Sequence, residues 1–233
     1  MKTFHFFTPL FALGLLVSAH LYAGETKYLP AKTPDAIALL PPPPSAGSLE
    51  ARTELDTACR IHSAATAEEL ARGESENELT IFHFAPVIGP WFQPGKFPKT
   101  EALFKEVEAE ARKVTSVGKS YWKRLRPYNA DPEHFPHAIE HEERSSYSYP
   151  SGHSTRGTTY SYLLAELFPE KRELLLETGR ECGWLRVQGG AHFPSDVYAG
   201  RVLGQALAKA FLQSPAFQHD LAEAKAEIAA GKP

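Results

Sequence analysis

The apolar positions in this chain recur mostly with helical spacing. Tyr160, Leu163, Leu164, Leu167 and Phe168 fall at i, i+3, i+4, i+7 and i+8, one face of a helix. Leu103, Val107, Ala111, Val114, Gly118 and Tyr121 form a second stripe, predicting a long helix from about Thr100. It runs out before Arg126-Pro127, because proline forbids easy continuation. Two further stripes consist largely of small residues. Gly179, Cys182, Gly183 and Arg186 lie on a helix opened by Pro169 and stopped at Gly189-Gly190, and Ala199, Gly200, Leu203, Gly204, Leu207, Ala210 and Phe211 on a helix with Pro194 in its first turn. Small side chains in a stripe let a second helix approach closely.

Upstream, Ser48 is placed to cap a helix over 49–63, and Thr66 to Glu69 has capping-box spacing, with Gly73 as the expected stop. The apolar run 78–88 fits a buried helix or a buried strand. A helix is favoured because its neighbours are helical. Residues 90–98 read as a loop, 128–149 as a long polar loop, and the chain from Phe217 as a weakly amphipathic, alanine-rich helix. No internal repeat and no alternating strand pattern is present. The expectation is an all-α, single-domain helical bundle over 48–213, followed by a helical tail over 214–233.

The N-terminus is a separate object. Lys2, the apolar run Phe4 to Val17 and small residues up to Ala23 have the layout of a secretory signal peptide over 1–23. Cleavage after Ala23 is expected, with the site beyond Ala19 and an uncleaved anchor as alternatives. The apolar run is short for a membrane span, and every later helical pattern carries charges, so no span is expected. Residues 24–47 are a proline-rich arm containing Pro41-Pro42-Pro43-Pro44, which favours extended polyproline II backbone. Export implies a periplasmic or secreted protein in an oxidising compartment. Cys59 and Cys182 then leave two readings open, one disulfide or two free thiols. A net charge of −3 argues against nucleic acid as a partner, since phosphate backbones need a basic face.

The candidate chemistry sits at helix ends. Pro150-Ser151-Gly152-His153 enters a helix, where unpaired N–H groups and the helix dipole favour an anion. Gly152 permits close backbone approach, and His153 titrates near neutrality. Alone, such a stretch is more often a simple cap. Lys119 and Arg126 alone read as surface charges, and Arg186 as a salt-bridge arginine. His192 and Asp196 alone read as a helix-start pair or half a metal site. Together they form one chemical set: three cations and several N–H donors for a tetrahedral dianion, two histidines, and an aspartate one turn from His192 to orient its ring.

These residues resemble the type 2 phosphatidic acid phosphatase superfamily, which includes the vanadium haloperoxidases. Its signature is K-x6-R-P, then P-S-G-H, then S-R-x5-H-x3-D. Here Lys119 leads to Arg126-Pro127, then Pro150 to His153, then Arg186, His192 and Asp196. Within the superfamily, the proline-rich arm and Tyr28-Leu-Pro look most like the bacterial class A non-specific acid phosphatases. One position departs: Leu185 stands where the family has serine.

The resemblance implies a metal-free hydrolase of small phosphate monoesters. In it His192 is the nucleophile forming a phosphohistidine, Asp196 its orienter and His153 the acid and base. Lys119, Arg126, Ser151, Gly152 and Arg186 hold the phosphate. It also implies no cofactor, vanadate binding as a phosphate analogue, and a homodimer or higher assembly. Competing readings are a vanadate-dependent haloperoxidase, a lipid phosphatase, a catalytically weak phosphate-binding homologue, and a metal hydrolase built on His134, His137 and His141.

Overall fold

The computed structural model describes residues 26–29, 34–139 and 147–232, which form helices and turns with no strand among them. The expected signal peptide (1–23), part of the arm and His141 lie outside the described residues. The α-helices are α1 (Ala36–Leu39), α2 (Leu49–Ala64), α3 (Ala67–Ser75), α4 (Ala85–Ile88), α5 (Pro98–Trp122), α6 (Pro127–Ala130), α7 (Gly152–Leu167), α8 (Arg172–Gln188), α9 (Pro194–Gln213) and α10 (Pro215–Gly231). Ser48 caps α2 by accepting from the Ala51 N–H, and Thr66 with Glu69 closes the capping box of α3.

Several local expectations shift. Gly73 does not end its helix: α3 continues to Ser75. The glycine serves close packing instead, because a Cβ there would lie 2.8 Å from Ile139 Cδ1. The ambiguous run 78–88 is helical in two short pieces, a 3-10 turn over Ile81–Phe84 and then α4. Pro169 opens a 3-10 turn, and the α-helix proper begins at Arg172. The long helix α5 stops at Trp122, where Lys123 turns left-handed at φ 49°. The polar loop that follows contains α6 and a 3-10 turn over Pro132–His134.

The centre of the fold is α7, packed between α8 and α9. Glycines set how close they come. A Cβ at Gly200 would sit 2.7 Å from the Ser151 carbonyl oxygen, one at Gly204 2.6 Å from that of Thr155, and one at Gly179 2.7 Å from that of Gly157. The small stripes therefore mark the faces that clasp α7. This helix carries an apolar face, as its spacing predicts, yet its polar face is buried as well. Its hydroxyls are satisfied internally: Thr155 donates to the Ser151 carbonyl at 2.8 Å, Thr159 to Thr155 at 2.9 Å, and Ser154 to Val197 on α9 at 2.7 Å. A buried polar group is tolerated when hydrogen-bonded.

Phe217, Leu221, Ala224 and Ile228 of α10 are buried, and α10 packs on α5 in the main core. The arm is pinned there too. The Glu110 carboxylate accepts from the N–H groups of Lys27, Tyr28 and Leu29, and the Tyr28 ring meets Phe211 and Phe217 edge-on. A smaller cluster of Ala58, Tyr128, Phe135, Ala191 and Phe193 supports the turn that carries His192. Cys59 and Cys182 are both free thiols.

Candidate active site

Arg186 lies in the last turn of α8, and the chain then reverses through Gly189 and Gly190, the latter at φ 68°. The N–H groups of Ala191 and His192 both return to the Arg186 carbonyl, at 2.9 and 3.1 Å. This short loop delivers His192 to the start of α9, one turn before Asp196. His192 Nδ1 lies 3.3 Å from Asp196 Oδ2, and Nε2 lies 3.1 Å from a terminal nitrogen of Arg126. A guanidinium can only donate, so Nε2 accepts and the proton sits on Nδ1, facing the carboxylate. The ring is therefore assigned the tautomer in which Nε2 presents a lone pair.

Asp196 is fully buried and fully engaged. Oδ2 also accepts from the Phe193 N–H at 2.8 Å, and Oδ1 accepts from Arg124 at 2.7 Å. Arg124 reaches Glu54 on α2 at 2.6 Å and Ser195 Oγ at 2.8 Å, while stacking over the Phe193 ring at 3.9 Å. Glu54 in turn accepts from the Ser195 N–H at 2.7 Å. Sequence reasoning missed both residues. Arg124 lies inside the Lys119-to-Arg126 block, but nothing in the sequence distinguishes Glu54, which meets it across the fold.

The remaining predicted residues gather on the other side of His192. Lys119, in the last turn of α5, donates to the carbonyls of Tyr147 and Ser148. Arg126 caps α6, is buried, and also donates to the Ala191 carbonyl at 2.9 Å. Ser151 is the N-cap of α7, accepting from the Ser154 N–H, and its own N–H donates to the Asp196 carbonyl at 3.0 Å. That bond ties the Pro150–His153 turn directly to α9. His153 Nε2 lies 3.0 Å from the Asn77 carbonyl, and Arg186 reaches the Asn77 side chain at 3.4 Å and the Gly73 carbonyl. All eight predicted residues thus surround one region. Leu185, at the departing position, is buried in the core.

The electrostatics suit an anion. Burial, then the nearby Arg126, holds the Lys119 ammonium well below its ordinary pKa. Burial likewise lowers Arg126, and brings Arg186 down to about 10. Arg186 Nε is buried with no hydrogen-bond partner among the described residues. Cations crowded in a low dielectric are costly, and a dianion between them relieves that cost. Among the described residues no group of three His, Cys, Asp or Glu side chains is placed to hold an ion, and His141 of the metal reading lies outside them. His134 pairs with Asp131 at 2.9 Å on the surface.

A family model of the PAP2 superfamily matches residues 109–220, which contain every predicted site residue. A non-specific acid phosphatase of Salmonella typhimurium is 30% identical over 232 residues, covering 94% of this chain and 91% of that protein. The chain belongs to the PAP2 superfamily. A second non-specific acid phosphatase, from Providencia stuartii, is 30% identical over 84% of this PAP2 chain and 81% of its own length. Among solved structures, a transmembrane PAP2 type phosphatidylglycerolphosphate phosphatase from Bacillus subtilis shares the fold, with a TM-score of 0.51 and 20% identity over 76% of this chain and 88% of that one. In this PAP2 protein no described helix is long and apolar enough to cross a membrane.

Proposed function

We propose that this PAP2 protein is an exported acid phosphatase that hydrolyses a broad range of small phosphate monoesters through a phosphohistidine, without a metal. Family membership and the similarity to non-specific acid phosphatases support the phosphatase part. The observation that carries the mechanism is the His192 ring, with Nδ1–H on Asp196 and the Nε2 lone pair beside Arg126.

In the proposed first step Nε2 attacks phosphorus, an N–P bond forms, and the ester P–O bond breaks. His153 gives its proton to the departing oxygen. The contact of its Nε2 with the Asn77 carbonyl at 3.0 Å holds the ring in place. Asp196 takes no proton and balances the imidazolium charge on His192. In the second step a water attacks phosphorus, His153 accepts its proton, and the N–P bond breaks to release phosphate. Lys119, Arg126, Arg186 and the N–H groups at the start of α7 hold the equatorial oxygens. Phosphoryl transfer needs mainly positioning and charge stabilisation of this kind. Vanadate is expected to occupy the same cage as an inhibitor. Signal-peptide removal near Ala23 and assembly as a homodimer or higher oligomer complete the proposal.

Hydrolysis of p-nitrophenyl phosphate by purified protein, with and without a chelator, is the test. His192→Ala is expected to abolish turnover, and acid-quenched wild-type enzyme to carry a phosphoryl group on the His192 peptide. Near-normal turnover by His192→Ala sinks the mechanism, and loss of activity in chelator sinks the metal-free reading. The pH–rate profile is expected to have an acidic optimum, because His153 must be protonated while His192 is neutral.

A further inference from the structure

One cation beside the cage has no role in the proposed reaction. Arg156 lies one turn after Gly152 on α7 and is only 5% exposed. Helical side chains lean toward the N-terminus, so its guanidinium returns to the start of α7. A terminal nitrogen lies 3.5 Å from the point a Cβ on Gly152 would occupy, and Lys119 Cε lies 4.0 Å from that same point. Arg156 therefore flanks the phosphate cage next to Lys119. It makes no hydrogen bond among the described residues, and its Nε is buried without a hydrogen-bond partner. Its ion pair is a long one, 3.7 Å to Glu108, and that carboxylate is held at 2.7 Å by Arg112. Burial, then Arg112, lowers its pKa.

A buried guanidinium with unmet donors destabilises a fold, and an apolar side chain would fill the same space without that cost. Lys119, Arg126, Arg186 and the helix N–H groups already match one phosphoryl dianion. A further cation at the same helix start points to a further anion. His153 shares that helix start, so the further anion is assigned to the leaving group.

We propose that Arg156 forms a second anion subsite beside the phosphate cage, taking the second phosphoryl group of a diphosphate substrate. Its place beside Lys119 suits two anionic groups joined through one bridging atom. On such a substrate His192 Nε2 attacks the terminal phosphorus and the bridging P–O bond breaks. The phosphoryl group held by Arg156 departs with the proton of His153, and water then releases phosphate from His192. This inference rests on the phosphatase reading.

The test uses two non-hydrolysable inhibitors of p-nitrophenyl phosphate hydrolysis, measured in chelator: methylphosphonate with one anionic group and methylenediphosphonate with two. A charge-assisted contact predicts that wild-type protein binds the diphosphonate at least about tenfold more tightly. Arg156→Gln and Arg156→Met are each expected to bring that affinity ratio toward one, with Arg156→Lys between them and wild type. Two neutral variants guard against one failing to fold, which a thermal melt reports. A ratio that stays the same in both variants overturns the subsite. So does equal weakening of both inhibitors, since Arg156 would then contact the transferred phosphoryl group. A wild-type ratio near one overturns the subsite and leaves the phosphatase standing. Absence of both hydrolysis and methylphosphonate binding overturns the two together.

Discussion

Replacing Arg124 with methionine isolates the network behind His192. Methionine keeps an unbranched apolar stem over Phe193 and removes the charge that joins Asp196 to Glu54. Asp196 is wholly buried and Glu54 only 12% exposed, so both carboxylates lose their cation in a poorly solvated place. Breaking a buried pair by deleting one partner costs about 3–5 kcal/mol. The lower end applies, because Asp196 keeps the Phe193 N–H and His192, and Glu54 keeps the Ser195 N–H. A loss of about 3 kcal/mol in a domain of this size lowers Tm by roughly 6–12 °C. Arg124 is placed on Asp196 rather than at the phosphate cage, so kcat should fall more than KM rises. Misplacement of a reacting group by about 1 Å costs on the order of 10²-fold. The assays are a thermal melt and steady-state hydrolysis of p-nitrophenyl phosphate. Removing the Glu54 charge as well, in Arg124→Met/Glu54→Gln, should restore part of the lost Tm, because the two sites share one interaction. A single variant melting within about 1 °C of wild type refutes the reasoning, as does strict additivity in the double variant.

Gly204→Ala is expected to destabilise by about 1–3 kcal/mol despite the better helix propensity of alanine, since the new methyl meets the Thr155 carbonyl at 2.6 Å; a chemical denaturation curve reads this. Binding of a phosphate analogue at alkaline pH should take up protons. Burial and Arg126 depress Lys119 in the free protein, and the bound dianion favours the ammonium, so its pKa rises in the complex. Calorimetry in two buffers of different ionisation enthalpy measures the uptake, and a release of protons contradicts it. Burial raises the pKa of both Cys59 and Cys182 and so lowers the reactive thiolate fraction. Native protein should titrate slowly with a thiol reagent, Cys182 slowest, and show two thiols when denatured.

Much of the site was legible because its groups occupy helix ends at fixed separations, where a turn of α-helix dictates what can meet. His192 and Asp196 are one turn apart, and Ser151 to His153 form the start of α7. The small stripes on α8 and α9 were legible for a similar reason, since glycine at helical spacing has a packing consequence. What escaped depends on partners far apart in sequence. Arg124 and Glu54 are ordinary charges until the fold places α2 beside the His192 turn. The buried polar face of α7 was illegible because Ser and Thr hydroxyls bond to carbonyls of their own helix, so no apolar stripe marks it. Gly73 was misread because the same residue serves a helix stop and a close contact, and only Ile139 decides between them.

The hydrogen bond from the Ser151 N–H to the Asp196 carbonyl has a consequence for how such an enzyme can change. It fixes the two halves of the chemistry to each other by main-chain atoms alone, between helices clasped at Gly200 and Gly204. Tyr128 and Phe135 brace the same joint from the side, packed against Ala191 and Phe193 on either side of His192. A change that leaves Ser151, Asp196 and the two glycines in place therefore keeps the spacing of His153 and His192. Substrate range can then drift through side chains outside that joint, while the spacing of the two rings is inherited intact.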